Sequence, residues 1–347
     1  MEQNTNFSST NGSEFTSNEH SKMAVEEALQ LTFQVLIAAF GVVGNALVVT
    51  VLTTAKKTQA GEFYLMNLAI ADLGTLLLTF PIVAIKQKAF SWPLGGFFCL
   101  YLSPAAEMFH GASVWFLAVI AIERYCQVVT VKVRLKCKNK TSMQRAKVIG
   151  GCVWVTSFLI FSIPIYFIMD YHEKVDGTKV CKPNWPSPMK FGKTYVVALT
   201  AFSYLLPLSV ISFTYFVISR ALARSNAFII AMKMDQLRQG EKKPLTITSS
   251  RLQQNNRAKR ILTPLVLVFA LTMLPLNALR LITVFGPEIV SSRNIYKILF
   301  FVAAILAILN SSVNPVIYSV VSTDFRRRVS NLFSRRKGLP QKTLLGN

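Results

Sequence analysis

Residues 31–52 read LTFQVLIAAFGVVGNALVVTVL, a stretch without a single charged side chain. A helix of about 20 apolar residues crosses the hydrocarbon core of a bilayer, which is roughly 30 Å thick. The stretch belongs to an apolar run over residues 29–54, and similar runs follow at 62–88, 97–129, 147–169, 194–222, 259–285 and 296–321. The sequence therefore predicts an all-α fold, a bundle of seven transmembrane helices.

The composition excludes a typical soluble protein. Of the 347 residues, 52% are hydrophobic and only 16% are charged. The net charge of +22 does not indicate nucleic-acid binding, because the basic residues lie between the apolar runs and not on one soluble surface. The N-terminal residues are polar and contain no cleavable signal peptide, so we expect the first helix to act as the insertion signal.

The basic residues predict the orientation of the bundle. They are concentrated after the first, third, fifth and seventh runs, and loops rich in Lys and Arg face the cytoplasm. We therefore expect a plasma-membrane protein with an extracellular tail over 1–28, a transmembrane domain over 29–321, and a short amphipathic helix with a cytoplasmic tail over 322–347. The basic residues of that short helix favour membrane lipid as a partner.

Glycosylation triplets and cysteines agree with this orientation. Asn6 and Asn11 begin Asn-X-Ser triplets in the predicted extracellular tail, where we expect glycosylation. Of the five cysteines only Cys99 and Cys181 fall on the oxidising side, so we expect a disulfide that holds the loop after the fourth helix over the bundle. The others, Cys126, Cys137 and Cys152, are expected to be free thiols.

Polar side chains inside the apolar runs are functional candidates, because polar groups that face lipid are costly. Asp72 lies in the middle of the second run and needs either a proton or a cation. One hypothesis is a sodium ion held by Asp72 and Ser113, and the other is a polar cluster that joins helices by hydrogen bonds. The residues at this depth are Asn45, Asp72, Ser113, Asn310 and Asn314.

Two short motifs lie near the predicted cytoplasmic ends of helices. Glu123-Arg124-Tyr125 places an acid beside an arginine at the end of the third run, although many such arginines only reach for the membrane interface. The motif Asn314-Pro315-Val316-Ile317-Tyr318 lies near the end of the seventh run, where proline removes a backbone hydrogen bond and leaves a deformable point.

With these motifs the chain resembles the rhodopsin-like (class A) family of G-protein-coupled receptors, and most of all its neuropeptide receptors. The resemblance extends from the first helix to the short helix after the seventh. The matching residues are Gly44-Asn45, Leu68 to Asp72, Trp92, Cys99 with Cys181, Glu123-Arg124-Tyr125, Trp154, Pro207, Tyr215, Phe269, Pro275 and Asn314-Pro315-Val316-Ile317-Tyr318.

The resemblance implies an equilibrium between two helix packings that a ligand biases. An agonist would bind the outer half of the bundle, the inner end of the sixth helix would swing outward, and a heterotrimeric G protein would insert. Arrestin and a receptor kinase are further implied partners. Arg124 would pair with Glu123 at rest and turn toward Tyr215 and Tyr318 on activation.

The family pattern also assigns roles to residues between the two ends. Pro207, Val114 and Phe269 would repack on activation, and a sodium pocket would be formed by Asp72, Ser113, Asn310 and Asn314. One departure is clear, because most members carry a tryptophan two residues before Pro275 and this chain has Met273. Methionine packs adaptably but lacks the rigid ring and the indole N–H.

Two residues that define other ligand classes of the family are missing from this chain, so an amine ligand and retinal are not expected. Ala106 stands where amine receptors of the family carry an aspartate, and Ile308 stands where visual pigments carry a lysine. Charges of both signs at pocket depth favour a peptide or zwitterionic ligand, and a charged hairpin is expected around Cys181. The candidate ligand-binding residues are Glu107, His110, Asn277, Arg280 and Phe300.

Three other functions remain open from the sequence. The first is an orphan or constitutively active receptor, which Met273 would favour. The second is a receptor for a small non-amine ligand. The third is a seven-helix transporter with Asp72 as a coupling site, although no internal repeat supports it. No catalytic constellation or phosphate loop occurs, so an enzyme is not expected.

Overall fold

The computed structural model describes residues 10–54, 59–88, 91–129, 143–185, 190–238, 246–289, 292–321 and 323–336. Within them, seven helices are long and apolar enough to cross a membrane, as predicted. They are α1 (Thr10–Thr53), α2 (Ala60–Gly74, Thr75–Thr79, Phe80–Lys88), α3 (Gly95–Phe97, Phe98–Leu102, Ser103–Val129), α4 (Met143–Ser157, Phe158–Ser162, Ile163–Ile168), α5 (Lys190–Thr200, Ala201–Leu205, Leu206–Arg238), α6 (Thr246–Phe285) and α7 (Arg293–Val321).

Several helices are longer than their apolar runs. The helix α1 begins at Thr10, α5 continues to Arg238, and α6 begins at Thr246. Hydropathy detects only the part of a helix that lies in lipid, so the polar continuations of these helices fall outside the predicted runs. The apolar part of α1 begins at Val25, close to the predicted start of the first run. Of the two predicted glycosylation sites, Asn6 lies outside the described residues. Asn11 lies in α1, but its side chain is not described.

A turn of π-helix forms the middle segment of α2, α3, α4 and α5. Each of these turns ends two residues before a proline: Pro81, Pro104, Pro164 and Pro207. A proline ring collides with the carbonyl one turn earlier and cannot donate to it, and a widened turn relieves both problems. The prolines therefore shift the side chains of these helices around the helix axis.

Glycines let aromatic rings pack directly on neighbouring helices. The ring of Phe109 on α3 lies against Gly74 of α2, and the ring of Phe161 on α4 lies against Gly111 of α3. Small residues at such contacts let helix backbones approach each other in lipid. The Trp154 indole adds a polar contact, because its Nε1 donates to Asn67 Oδ1 over 3.0 Å and so joins α4 to α2.

A β-hairpin lies between α4 and α5, with β1 (Met169–Glu173) antiparallel to β2 (Lys179–Pro183). The predicted disulfide between Cys99 and Cys181 is confirmed and fastens β2 to α3. Trp92 supports the same strand, because its backbone N–H donates to the Lys179 carbonyl over 2.8 Å. At the tip, hydrogen bonds from the Thr178 hydroxyl and backbone N–H hold the pKa of the Asp176 carboxyl below its ordinary value.

The expected amphipathic helix is confirmed as α8 (Thr323–Arg336). Phe325 is buried, and Arg328 Nη2 lies 2.7 Å from Glu62 Oε1 at the start of α2. Arg326 Nη1 donates to the carbonyl of Val320 over 2.6 Å at the end of α7. These contacts dock α8 against the end of the bundle opposite the hairpin. In the described residues neither Cys126 nor Cys152 forms a disulfide, and Cys137 lies outside them.

We expect Gly74→Ala to destabilise the protein by about 1–3 kcal/mol, because the added Cβ would overlap the Phe109 ring. That ring packs edge-on against Trp154 with centroids 5.8 Å apart, so it has little room to move. Thermal unfolding in lipid nanodiscs measures the effect. Gly151→Ala is the control, because nothing lies within 4 Å of its added Cβ. Equal melting temperatures for the two variants would contradict this packing.

Candidate functional site

The half of the bundle nearest the hairpin contains polar groups without protein partners. His110 on α3 is buried, and its Nε2 has no hydrogen-bond partner. Arg280 on α6 has a buried Nη1 that is likewise unpaired. Among the residues that the structure describes, neither Arg280 nor Glu107 takes part in an ion pair. Buried polar groups normally find partners, so this part of the bundle is a candidate binding site.

These groups lie near one another on three helices. The Arg280 guanidinium lies close enough to His110 of α3 and to Tyr195 of α5 to interact with them electrostatically. Glu107 of α3 interacts with the same tyrosine. The site therefore combines an acid, a guanidinium, an imidazole and a phenol, which suits a polar ligand that carries a carboxylate or carbonyl.

Two of the predicted ligand-binding residues have protein partners. Asn277 is only 2% exposed, and its Oδ1 accepts a hydrogen bond from Ser203 Oγ over 3.0 Å while its Nδ2 donates to the Met273 carbonyl over 2.9 Å. The ring of Phe300 packs against Tyr296 of its own helix, with centroids 5.9 Å apart. The structure therefore brings Glu107, His110 and Arg280 together but gives Asn277 a contact between α5 and α6.

Sequence reasoning missed the contributions of α5. Tyr195 belongs to an aromatic group in which Trp185 lies 5.5 Å from Tyr195 and 6.4 Å from Phe191, measured between ring centroids. Further along α5, Ser203 and Tyr204 both reach α6. The available signal was polarity, because Ser203 and Tyr204 are adjacent polar residues inside the apolar run over 194–222.

The middle of the bundle holds the predicted polar cluster around Asp72, which is fully buried. Ser113 Oγ donates to Asp72 Oδ1 over 2.6 Å, and Asn314 Nδ2 donates to Asp72 Oδ2 over 2.8 Å. Asn45 Nδ2 donates to the Ser311 carbonyl over 3.0 Å and joins α1 to α7. The cluster therefore connects α1, α2, α3 and α7.

In the described residues, Asn310, the remaining residue of the predicted polar cluster, is hydrogen-bonded to α6 and not to Asp72. Asn310 Oδ1 accepts a hydrogen bond from Thr272 Oγ1 over 3.2 Å, so it joins α7 to α6. The same hydroxyl lies 2.7 Å from the Val268 carbonyl of its own helix, so its one hydrogen is shared between the two acceptors. This contact places α6 beside the polar cluster through the residue next to Met273.

The predicted switch residues form a buried apolar cluster and a polar end. Val114, Phe269 and Met273 are each 0% exposed and belong to one buried cluster. The Tyr204 ring lies 6.1 Å from that of Phe269, and its hydroxyl donates to the Ala270 carbonyl over 3.2 Å. Val114 and Phe269 of the predicted repacking set are therefore packed together with Met273, and their repacking with Pro207 on activation stays a prediction.

At the end nearest α8, Gln127 lies between the two charged residues of the motif on α3. Arg124 Nη1 donates to Gln127 Oε1 over 3.2 Å, and Gln127 Nε2 donates to Glu123 Oε1 over 3.0 Å. Tyr125 and Tyr215 pack against a buried pair on α5, Ile218 and Leu222. The side chain of Tyr318 is outside the described residues, so its predicted contact with Arg124 stays a prediction.

We expect Arg280→Met to raise the melting temperature of the ligand-free protein by about 2–4 °C. Methionine keeps the apolar stem and removes a buried donor that lacks a partner, and such a donor costs about 1–3 kcal/mol. Arg220→Met is the control, because Arg220 lies on the surface, 4.4 Å above the Phe216 ring. A lower melting temperature for Arg280→Met would mean that Arg280 has a structural role.

Known proteins resemble the chain over most of its length. The pattern of the 7 transmembrane receptor (rhodopsin family) matches residues 44–318. The human galanin receptor type 1 is 30% identical over 316 residues, which cover 90% of this chain and 83% of that receptor. The bovine (Bos taurus) somatostatin receptor type 5 is 29% identical, over 87% of this chain and 75% of its own. The human adenosine receptor A2b is 27% identical, over 90% of this chain and 92% of its own. The chain is thus a multi-pass membrane protein that belongs to the rhodopsin family of seven-transmembrane receptors.

Proposed function

We propose that this receptor is activated by an extracellular peptide and signals through a heterotrimeric G protein. The observation that carries the ligand class is the unpaired Arg280 beside the buried His110, because a peptide supplies a carboxylate or an amide carbonyl for such a donor. Galanin and somatostatin, which give two of the similar receptors their names, are peptides. Membership of the receptor family removes the transporter alternative.

The arrangement of the bundle supports a route for the ligand and for the signal. The proposed orientation in the plasma membrane has the hairpin and the N-terminus outside and α8 inside, in keeping with the basic loops. The disulfide fastens the hairpin to α3 at the end of the bundle where the peptide is proposed to bind. On the inner side the G protein, arrestin and a receptor kinase are the proposed partners, and the basic face of α8 is proposed to contact anionic lipid.

A second candidate function is a receptor with high ligand-free activity or with a small non-amine ligand. Met273 favours the former, since a flexible side chain takes the place of a rigid ring. The similarity to an adenosine receptor favours the latter. An amine ligand is disfavoured, because Ala106 has no charge to pair with it.

A peptide library tests the proposed function in cells that express the receptor, with cyclic AMP and calcium recorded together. We expect a peptide-dependent signal that Arg124→Ala abolishes. Arg280→Gln should weaken the potency of that peptide about 10- to 150-fold, because hydrogen bonds to charged groups contribute about 1.5–3 kcal/mol. Arg220→Gln is the matched control and should leave the potency unchanged. A ligand-free signal that Arg124→Ala removes, without any peptide response, would favour the second candidate.

We further propose that Asp72 binds a sodium ion that regulates the receptor. In the described residues no Lys, Arg or His forms an ion pair with its buried carboxylate, and its hydrogen bonds come from the neutral side chains of Ser113, Asn314 and Ser311. The Asn45 Oδ1 atom is also buried without a partner. Carboxylate, hydroxyl and amide oxygens are ligands that hard cations accept, so these residues fit the ion. Asp72 and Ser113 would hold it, with Asn45, Asn310 and Asn314 around them.

Sodium should raise the melting temperature of the purified receptor by several degrees, because an ion that binds only the folded state stabilises it by mass action. Thermal unfolding in sodium chloride is compared with unfolding in choline chloride at the same concentration. Asp72→Asn should abolish the difference while it keeps the shape of the side chain. Thr75→Val is the control, because Thr75 Oγ1 donates only to the carbonyl of Ala71 in its own helix. A sodium effect that survives in Asp72→Asn would refute the site.

A further inference from the structure

The contact between α5 and α6 is polar at a depth where the surrounding core is apolar. Ser203 is 0% exposed and Asn277 is 2% exposed, and their side chains share a hydrogen bond of 3.0 Å. The second polar atom of Asn277 donates to the Met273 carbonyl over 2.9 Å. Both polar ends of the amide are therefore used, one on α5 and one on α6 itself.

A proline on α5 produces this contact. The π-helical turn Ala201–Leu205 ends two residues before Pro207, and both Ser203 and Tyr204 lie in it. Successive side chains of a regular helix point about 100° apart, yet both residues reach α6, Ser203 through Asn277 and Tyr204 through the Ala270 carbonyl. The wide turn thus presents two neighbouring polar side chains to the same helix.

On α6, Asn277 lies between the candidate ligand contact and the switch position. Met273, Asn277 and Arg280 are spaced at i, i+4 and i+7, which places them along one face of the helix. Arg280, at the hairpin end of this face, has an unpaired buried Nη1, and Met273, at the other end, is in the apolar core. A ligand that draws Arg280 toward itself therefore pulls on the same face of α6 that is hydrogen-bonded to Ser203 through Asn277, one helical turn away.

We propose that Asn277 is a positioning residue and that the Ser203–Asn277 hydrogen bond couples ligand binding at Arg280 to the movement of α6. The inference rests on the proposed function only in that α6 is taken to move during signalling. Rotation or translation of α6 against α5 separates the donor from the acceptor, and two buried polar groups then lose their partner. The bond thus favours the α6 position of this structure, and the side chain at Met273 follows α6 instead of driving it.

The position of α6 is measured without ligand or G protein, so a failure of the peptide assignment does not affect the result. Nitroxide labels are placed by Arg145→Cys on α4 and Lys259→Cys on α6, in a background without Cys126, Cys137 and Cys152. Double electron–electron resonance spectroscopy then gives the distribution of distances between the two labels in nanodiscs. We expect Ser203→Ala and Asn277→Leu each to raise the population with a displaced α6 about fivefold, the effect of one typical hydrogen bond.

The controls separate positioning from folding. Ser209→Ala removes a hydroxyl from α5 that donates only to the Leu205 carbonyl of its own helix, and should leave the distribution unchanged. Ser203→Thr keeps a donor and should restore the original distribution. The double variant should shift α6 no further than Asn277→Leu alone, because both changes remove the same bond. An unchanged distance distribution in Ser203→Ala would overturn the proposal, and so would an equal shift of that distribution in Ser209→Ala. Additive shifts in the double variant would also overturn it, as would a lower melting temperature of Ser203→Ala without any shift in the distribution.

Discussion

The absence of water from the bilayer core is the constraint on which the whole bundle depends. Every backbone N–H and C=O there must be satisfied within the protein, and a proline breaks that rule locally. In four helices of this receptor a widened turn just before the proline accommodates the break. The side chains beyond such a turn are rotated about the helix axis, so a purely local steric problem decides which residues face the neighbouring helix.

The same constraint divides the polar side chains into two groups. Asp72 and Asn277 each have at least one hydrogen-bond partner on another helix, and these bonds hold the bundle in one arrangement. Arg280 and His110 each keep a buried polar atom without a partner near the hairpin, an arrangement that stability alone would not select. Groups of the first kind suit a conformational role, and groups of the second kind suit a ligand, which can supply the missing partner.

The helix α6 lies between these groups and touches both. Among the described residues, Ser203 and Tyr204 of α5 donate hydrogen bonds to α6, and Thr272 of α6 donates one to Asn310 of α7. Met273 lies between them in the apolar core, where its side chain contributes volume but no hydrogen bond. In the described residues the hydrogen bonds from α6 to its neighbours are therefore made beside the switch position and not by the Met273 side chain.

The sequence by itself determined the seven helices, the disulfide and the short amphipathic helix α8, because hydropathy, charge and cysteine placement depend on the membrane and not on the packing. It also identified Asp72, Glu107, His110 and Arg280, since a polar residue in an apolar run is visible without a structure. Only the tertiary structure decided that Asn277 pairs with Ser203, that Asn310 turns to Thr272, and that Tyr195 joins the site. Those pairings depend on how each helix is rotated about its axis, and that rotation follows from the π-helical turns and from packing between helices distant in sequence.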